Sequence, residues 1–261
     1  MSVAEKPQRA VILAAGQGSR LLPHTRDLPK CLLDLGGRPM LGWQLHALAA
    51  AGVAEAVVVT GFRTERVEET LPALTPAGMR VRTLFNPFYK VADNLASCWM
   101  VRQELAGGAL VVNGDTLFGP EIAQRLLAAP AADITVTIDR KASYDDDDMK
   151  VSTDGDRLQA IGKKLAAAQV TGESIGFLRF SARGAAAFTA EIERTMRTLE
   201  GPTLWYLSAI HQLAHAGTDV RVVSIEGLDW AELDFPADLV DCRAIATAWA
   251  AAMQPRKTST N

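Results

Sequence analysis

The residues best suited to chemistry lie in residues 11–33, VILAAGQGSRLLPHTRDLPKCLL. Residues 14–19 (AAGQGS) are too small to continue a strand but can bring backbone N–H groups close to a ligand. Arg20 follows at once, and Lys30 comes after Pro29. A small-residue loop behind a strand, with two cations, is a place to hold a polyphosphate. A dinucleotide fingerprint is not met, because Leu21 stands where the third glycine belongs, and no Gly-Lys-Ser/Thr of a P-loop follows. The competing reading is a tight turn with surface cations. Asp115, in Asn113-Gly114-Asp115, sits just past an apolar run, where a carboxylate beside a phosphate loop can hold Mg²⁺. Aspartate is equally common as a turn former, and on the residues alone both readings stand.

These residues need a scaffold that delivers them to one place. Residues 10–13, 56–60 and 110–113 are short apolar runs that read as buried strands. Helical patterns cover 40–49 (stopped by Gly52), 63–71 and 94–105. The second half is richer in strands, at 134–138, 149–152, 158–162, 174–180 and 220–225, with a hairpin turn at 154–156. Helices are expected at 183–199, 205–216 and 236–252, the last opening with a proline where the first turn tolerates it. Alternating strands and helices predict an α/β fold, a Rossmann-like doubly wound, mostly parallel (mixed) sheet joined to a β-rich lobe. Ligands of such sheets bind beyond the strand C-termini, where residues 14–20 and Asp115 fall. No linker divides the chain and no repeat appears. The expectation is one domain over 1–250, with lobes at about 9–125 and 126–250 and a flexible tail at 251–261. The first eight residues read as a frayed end.

Composition excludes several classes. The 261 residues are 48% hydrophobic and 22% charged with a net charge of -3, ordinary for a globular enzyme and without the basic surplus of a nucleic-acid binder. Three scattered cysteines (Cys31, Cys98, Cys242) support neither a disulfide framework nor a zinc site. Four histidines show no ligand spacing with acids or cysteines. No apolar run is long enough to span a membrane, and residues 1–9 lack a signal-peptide core, so a cytoplasmic location is expected.

Residues 13–21 (LAAGQGSRL) followed by residues 29–32 (PKCL) resemble the signature of the nucleotidyltransferases that activate phosphorylated sugars and alcohols. The resemblance covers about residues 9–240. It implies transfer of a nucleoside monophosphate from an NTP to an acceptor phosphate, with pyrophosphate released. It further implies that Leu13, Ala14, Ala15, Gly16, Gln17, Gly18 and Ser19 wrap the NTP phosphates while Arg20 and Lys30 neutralise charge. Such a displacement needs positioning and charge neutralisation more than a protein nucleophile. Gly114 and Asp115 complete the nucleotide side, with Asp115 a metal ligand. Residues 230–239 (WAELDFPADL) resemble the family's late segment, which makes Asp234 the second ligand and Mg²⁺ the implied cofactor. Phe235 stands where the family often has threonine.

Residues 86–90 (NPFYK) and 94–99 (NLASCW) are similar to the branch acting on phosphocholine, aminoethylphosphonate and related acceptors. That similarity implies CTP, with Asn94 and Ser97 reading the base, although both are also good helix-capping residues. Within the acidic run 145–148, Asp145–Asp147 read as a solvated loop. Asp148-Met149-Lys150-Val151, Ile161-Gly162-Lys163 and Glu173-Ser174-Ile175-Gly176 resemble the same branch and imply an acceptor site of Lys163, Lys150 and Glu173. Trp205-Tyr206-Leu207-Ser208 lacks the acids that often follow the aromatic residue in that branch, which leaves choline itself open. The reading is a Mg²⁺-dependent cytidylyltransferase for a small phosphate or phosphonate, with no nucleic-acid or membrane partner and with homo-oligomerisation left open. The rivals are a sugar-1-phosphate nucleotidyltransferase using another NTP and a catalytically silent nucleotide-binding subunit.

Overall fold

The structure is a computed structural model that describes residues 9–253; the expected frayed end at 1–8 and tail residues 254–261 lie outside the described residues. The first half runs β1 (Arg9–Leu13), β2 (Asp34–Leu35), β3 (Arg38–Pro39), α1 (Met40–Ala50), β4 (Glu55–Thr60), α2 (Thr64–Leu74) and β5 (Arg80–Phe85). It continues through α3 (Asn94–Met100), β6 (Gly108–Asn113), β7 (Thr116–Phe118) and α4 (Pro120–Ala128). The second half holds β8 (Ile134–Asp139), β9 (Lys150–Asp154), β10 (Arg157–Gly162), β11 (Gly172–Ser181) and α5 (Ala182–Thr195). It closes with α6 (Tyr206–His215), β12 (Val220–Ser224), β13 (Trp230–Glu232) and α7 (Asp238–Met253).

Nine strands form one sheet in the order β5-β4-β1-β6-β11-β8-β12-β10-β9. The first four are parallel, as are β8 and β12, while β11 runs antiparallel between β6 and β8 and joins the two halves. Alternation along each strand decides what lies on each face. In β1, Val11 faces a layer containing Leu95 of α3, Phe188 of α5 and Ile210 of α6. Its neighbours Ala10 and Ile12 face Leu45 of α1, Val67 of α2 and Ile122 of α4. The mixed, doubly wound α/β arrangement expected from the sequence is therefore present.

A third apolar cluster positions the site. Leu21, Leu35, Trp43, Leu117, Leu233 and Leu239 bury together, tying the loop after β1 to the β7–β13 ribbon and to α7. Distant segments thereby meet at the C-terminal end of β1.

Several elements escape the sequence pattern, among them the short ribbons of β2 with β3 and of β7 with β13. In β5, Arg80 and Arg82 alternate with Val81 on an edge strand, so it shows no apolar run. α4 is a nine-residue helix whose apolar face is only Ile122, Ala123, Leu126 and Leu127. The predicted helix 94–105 is shorter, because α3 ends at Met100 and a 3₁₀ turn follows at Arg102–Leu105. Residues 251–253, expected in the flexible tail, complete the last turn of α7.

β11 changes partners midway, with a register shift between Ser174 and Leu178. Gly176 makes this bend with φ of 69°, and a Cβ there would fall 2.2 Å from Asn113 Nδ2. Gly176→Ala should therefore cost about 1–3 kcal/mol through overpacking plus left-handed strain. Gly162, with open space around it and ordinary φ, is the control: Gly162→Ala should stay within about 0.5 kcal/mol in the same denaturant titration.

Candidate active site

The loop after β1 begins where the sheet's hydrogen bonding still holds it. Ala14 N–H donates to Val59 O and Gly114 N–H donates to Leu13 O, both at 2.9 Å, so the small-residue loop and the Asp115 turn lie side by side. Gly18 adopts φ of 74°, and a Cβ on it would sit 3.0 Å from Lys30 Cβ. Glycine thus lets the Lys30 stem pack against the loop. Thr25 Oγ1 donates to Gly18 O at 2.7 Å, and Gln17 Nε2 donates to Thr25 O at 3.3 Å, pinning the loop from behind.

Lys30 is the hub. Its Nζ donates to Asp115 Oδ2 at 2.7 Å and to Asp234 Oδ1 at 2.8 Å. Burial disfavours the ammonium, but the two carboxylates outweigh it and hold Lys30 charged, above the ordinary lysine range. Arg20 donates to the other oxygen of Asp234 at 2.7 Å. Burial alone would raise the Asp234 carboxyl, and Lys30 with Arg20 brings it below the usual aspartate range. Arg20 also stacks over Phe235, its guanidinium carbon 4.7 Å from the ring centroid. The Phe235 departure from the family pattern supplies a platform for the catalytic candidate beside it. Asp238, at the start of α7, accepts from the Asp234 and Phe235 N–H groups at 2.8 and 2.7 Å and steadies this segment.

A third carboxylate joins the pair. Donor oxygens of Asp115, Glu232 and Asp234 lie within 4.8 Å of one another. Glu232 keeps part of its surface open to solvent, yet desolvation within the cleft, then the charges of Asp115 and Asp234, raises its carboxyl above the ordinary glutamate range. Asp115 Oδ1 is buried and has no hydrogen-bond partner among the described residues. An orphaned carboxylate oxygen among hard donors suits a small divalent cation, and Asp115, Glu232 and Asp234 are the residues that could hold it. The sequence reading reached Asp115 and Asp234 but missed Glu232. The available signal was Glu-Leu-Asp leaving β13, where alternation buries Leu233 and turns the two acids the same way.

These residues line a cleft of about 470 Å³. Of the predicted nucleotide-binding set, Leu13, Ala14, Ala15, Gly16, Gly18, Ser19, Arg20, Lys30, Asn94, Ser97, Gly114 and Asp115 all reach it. Gln17 stays outside the lining, committed to Thr25. Asn94 Oδ1 accepts the Tyr206 N–H at 2.9 Å, and Ser97 Oγ accepts from Asn86 Nδ2 at 3.1 Å, so both also brace α3.

On the opposite wall the predicted acceptor residues separate. Lys163 lines the cleft, its Nζ 3.1 Å from Asp147 and 4.9 Å from the centre of the Trp205 ring. Lys150 and Glu173 do not line it. Lys150 Nζ donates to the Asp145 and Lys163 carbonyls and braces the loop between them. Glu173 is buried against Asp148 and Lys141, whose Nζ lies 2.9 Å from each carboxylate. Asp147 is exposed in the loop expected from the sequence and also lies between Lys163 and Arg20, 3.9 Å from the latter.

Scaffold and cleft together define a nucleotidyltransferase-type site, and the comparisons with known proteins place it. Residues 10–145 match the model of the MobA-like NTP transferase domain, and the chain belongs to that family. It is 33% identical over 239 residues to the CMP-5'-(3-aminopropyl)phosphonate synthase of Streptomyces rubellomurinus, which covers 89% of this chain and 38% of that protein. The chain thus spans well under half the length of this relative. It is 23% identical over 251 residues to the CTP:phosphoglutamine cytidylyltransferase of Campylobacter jejuni, covering 88% of this chain and 97% of the relative. Its fold is that of the inositol-1-phosphate CTP transferase from T. maritima, with a TM-score of 0.77 and 17% identity over 94% of this chain and 98% of the other. The phosphocholine cytidylyltransferase from Streptococcus pneumoniae has the same fold, with a TM-score of 0.73 and 22% identity over 91% and 98% of the two chains. Among the described residues no helix is long and apolar enough to cross a membrane.

Glu173 offers a pH-dependent test of the wall. Burial, then the hydrogen bond shared with Asp148, pushes its carboxyl up to about 7, while the hydrogen bonds that Asp148 accepts from Glu173 and Lys141 outweigh its own burial and hold it low. A carboxyl raised in the folded state binds more protons folded than unfolded, so its contribution is full below pH 4.5 and is lost as pH rises towards 7. Glu173→Gln keeps a neutral hydrogen-bonding group without that loss. Denaturant titrations at about pH 5 and pH 8 should show the variant gaining stability relative to wild type at the higher pH. An unchanged difference would remove the assigned protonation.

Proposed function

We propose that the chain transfers CMP from CTP to a small phosphate or phosphonate acceptor and releases pyrophosphate. The observation that carries this reading is the Lys30–Asp115–Asp234 cluster, with Arg20, under a small-residue loop in a cleft that extends to Lys163. Similarity to the aminopropylphosphonate synthase and the phosphoglutamine cytidylyltransferase favours CTP over other NTPs.

In this reading an acceptor oxygen attacks the α-phosphorus of CTP, and the bond from that phosphorus to the bridging oxygen of pyrophosphate breaks. The loop N–H groups after Ala14, over residues 15–19, hold the triphosphate. Arg20 and Lys30 offset the negative charge that spreads over the phosphoryl oxygens as the bond breaks. Asn94 and Ser97, at the start of α3, face the base. Lys163 fixes the acceptor anion opposite the loop. Asp115, Asp234 and Glu232 would hold the divalent cation, Mg²⁺ by the hardness and small number of the donors, and a bound cation would supply further charge neutralisation. No side chain has to act as nucleophile. The 9–125 lobe serves the nucleotide and the 126–250 lobe the acceptor, within one domain.

The test is a pyrophosphate-release screen of CTP, UTP, dTTP and GTP against phosphocholine, aminoethylphosphonate and hexose-1-phosphates, with Mg²⁺. Release with CTP and a phosphate or phosphonate acceptor is expected. Turnover confined to hexose-1-phosphate with another NTP would overturn the choice of substrates. Asp115→Asn should lower turnover at least about a hundredfold while the protein melts close to wild type. Retained turnover would remove Asp115 from the machinery.

A further inference from the structure

The cleft wall opposite the phosphate loop carries one uncommitted carboxylate. Five acids line the cleft: Asp93, Asp115, Asp147, Glu232 and Asp234. Asp115 and Asp234 are paired with Lys30, Asp147 lies against Lys163 and Arg20, and Glu232 belongs with the metal-binding trio. Asp93 is the only one outside that trio with no cationic partner within salt-bridge distance among the described residues.

Asp93 precedes α3, so helix capping is the plain alternative. Its contact argues against capping as a sufficient account. A capping side chain accepts from the second or third N–H of the helix. Within the helix the Asp93 carboxylate accepts only from Asn94, the first, at 2.7 Å, its other neighbour being the Trp205 side chain, and the Ala96 N–H bonds instead to the Asp93 backbone carbonyl at 3.1 Å. The backbone is held independently, through Asp93 N–H to Pro202 O at 2.7 Å. One carboxylate oxygen therefore has no role in the helix.

Its surroundings have the character of a cation site. Trp205 stands beside it with its side chain partly open to the cleft, and the chain's own Lys163 ammonium already lies over that ring. An aromatic face next to a carboxylate that has no salt bridge attracts an ammonium group. The kind of ammonium follows from how many walls are aromatic. Only Tyr89 and Trp205 among the aromatic residues line the cleft, since Trp99, Tyr144, Tyr206 and Trp230 stay outside it. Two aromatic walls do not close a cage around a quaternary group, which has no N–H to give a carboxylate. A primary ammonium has three donors and pairs with Asp93 directly.

We infer that Asp93, with Trp205 as its aromatic wall, selects an acceptor bearing a primary ammonium group, the acceptor's phosphate or phosphonate being held by Lys163. The acceptor class is thus a short zwitterionic aminoalkyl phosphate or phosphonate. This rests on the proposed cytidylyl transfer for its turnover but not for its binding.

The experiment pairs two readouts on the full chain, using aminoethylphosphonate, its des-amino counterpart ethylphosphonate, and phosphocholine. Calorimetry in the presence of Mg²⁺ and CTP measures binding, with a non-hydrolysable CTP analogue substituted if turnover occurs, and pyrophosphate release measures kcat/KM. Wild type should favour the primary amine over the other two by about tenfold or more, the size of one charged hydrogen bond. Asp93→Asn keeps an acceptor for the Asn94 N–H and should bring the amine to des-amino ratio close to one. A purely structural role would lower all acceptors together and leave the ratio intact, which would overturn the inference. Amine-selective binding without pyrophosphate release would sink the proposed reaction and leave the site standing. Release with no amine preference would do the reverse.

Discussion

Two carboxylates held together in a partly buried cleft repel, and at about 4 Å the repulsion is roughly 4 kcal/mol at an effective dielectric of 20. Asp115 and Asp234 are brought this close because the Lys30 ammonium bridges them at 2.7 and 2.8 Å. Lys30 is 85 residues from one partner and 204 from the other, so the contact closes nearly the whole chain around a single charge. The surrounding construction serves that contact. The left-handed Gly18 makes room for the Lys30 stem, the third apolar cluster pulls the Lys30 and Asp234 segments to the end of β1, and Asp238 holds the Asp234 backbone. Balance at the cluster is incomplete in a telling way. Three acids face one lysine and one half-exposed arginine, and an oxygen of Asp115 goes without a donor. That unpartnered oxygen among hard donors is what supports the proposed cation site.

The second constraint is the antiparallel insertion of β11 between β6 and β8. It turns a parallel sheet into a mixed one and carries the second lobe to the open side of the small-residue loop. The bend at Gly176 lets the start of β11 leave β6 and pair with β9, so that the loops bearing Asp147 and Lys163 reach the cleft. Asp147 lies between Lys163 and Arg20, which links the two walls directly.

Much of this was legible in the sequence where a residue's role is local. The apolar run of β1, the small-residue loop and Asp115 are written in consecutive residues, and their geometry follows from strand and turn chemistry. Asp234 was legible only through the resemblance of its segment to a known signature. What could not be read depends on partners far away. Glu232 reaches the cluster because β13 pairs with β7, and Asp93, just before α3, lies beside Trp205. Lys150 and Glu173 show the converse case: their types suit an acceptor site, yet one braces a loop and the other is buried with Lys141 and Asp148. β5 and α4 were missed for a simpler reason: an edge strand alternating with arginines shows no apolar run, and α4, though clearly amphipathic, is only nine residues long.

In the proposed reaction Lys30 serves the triphosphate while a cation joins Asp115, Asp234 and Glu232. The most direct measurement is a crystal structure of the chain with CTP and Mn²⁺, read by the anomalous signal of the metal. A metal peak among Asp115, Asp234 and Glu232, with Lys30 Nζ in contact with the triphosphate, is expected. CTP bound in the cleft with no metal among the three acids and Lys30 touching only Asp115 and Asp234 would overturn the proposed roles.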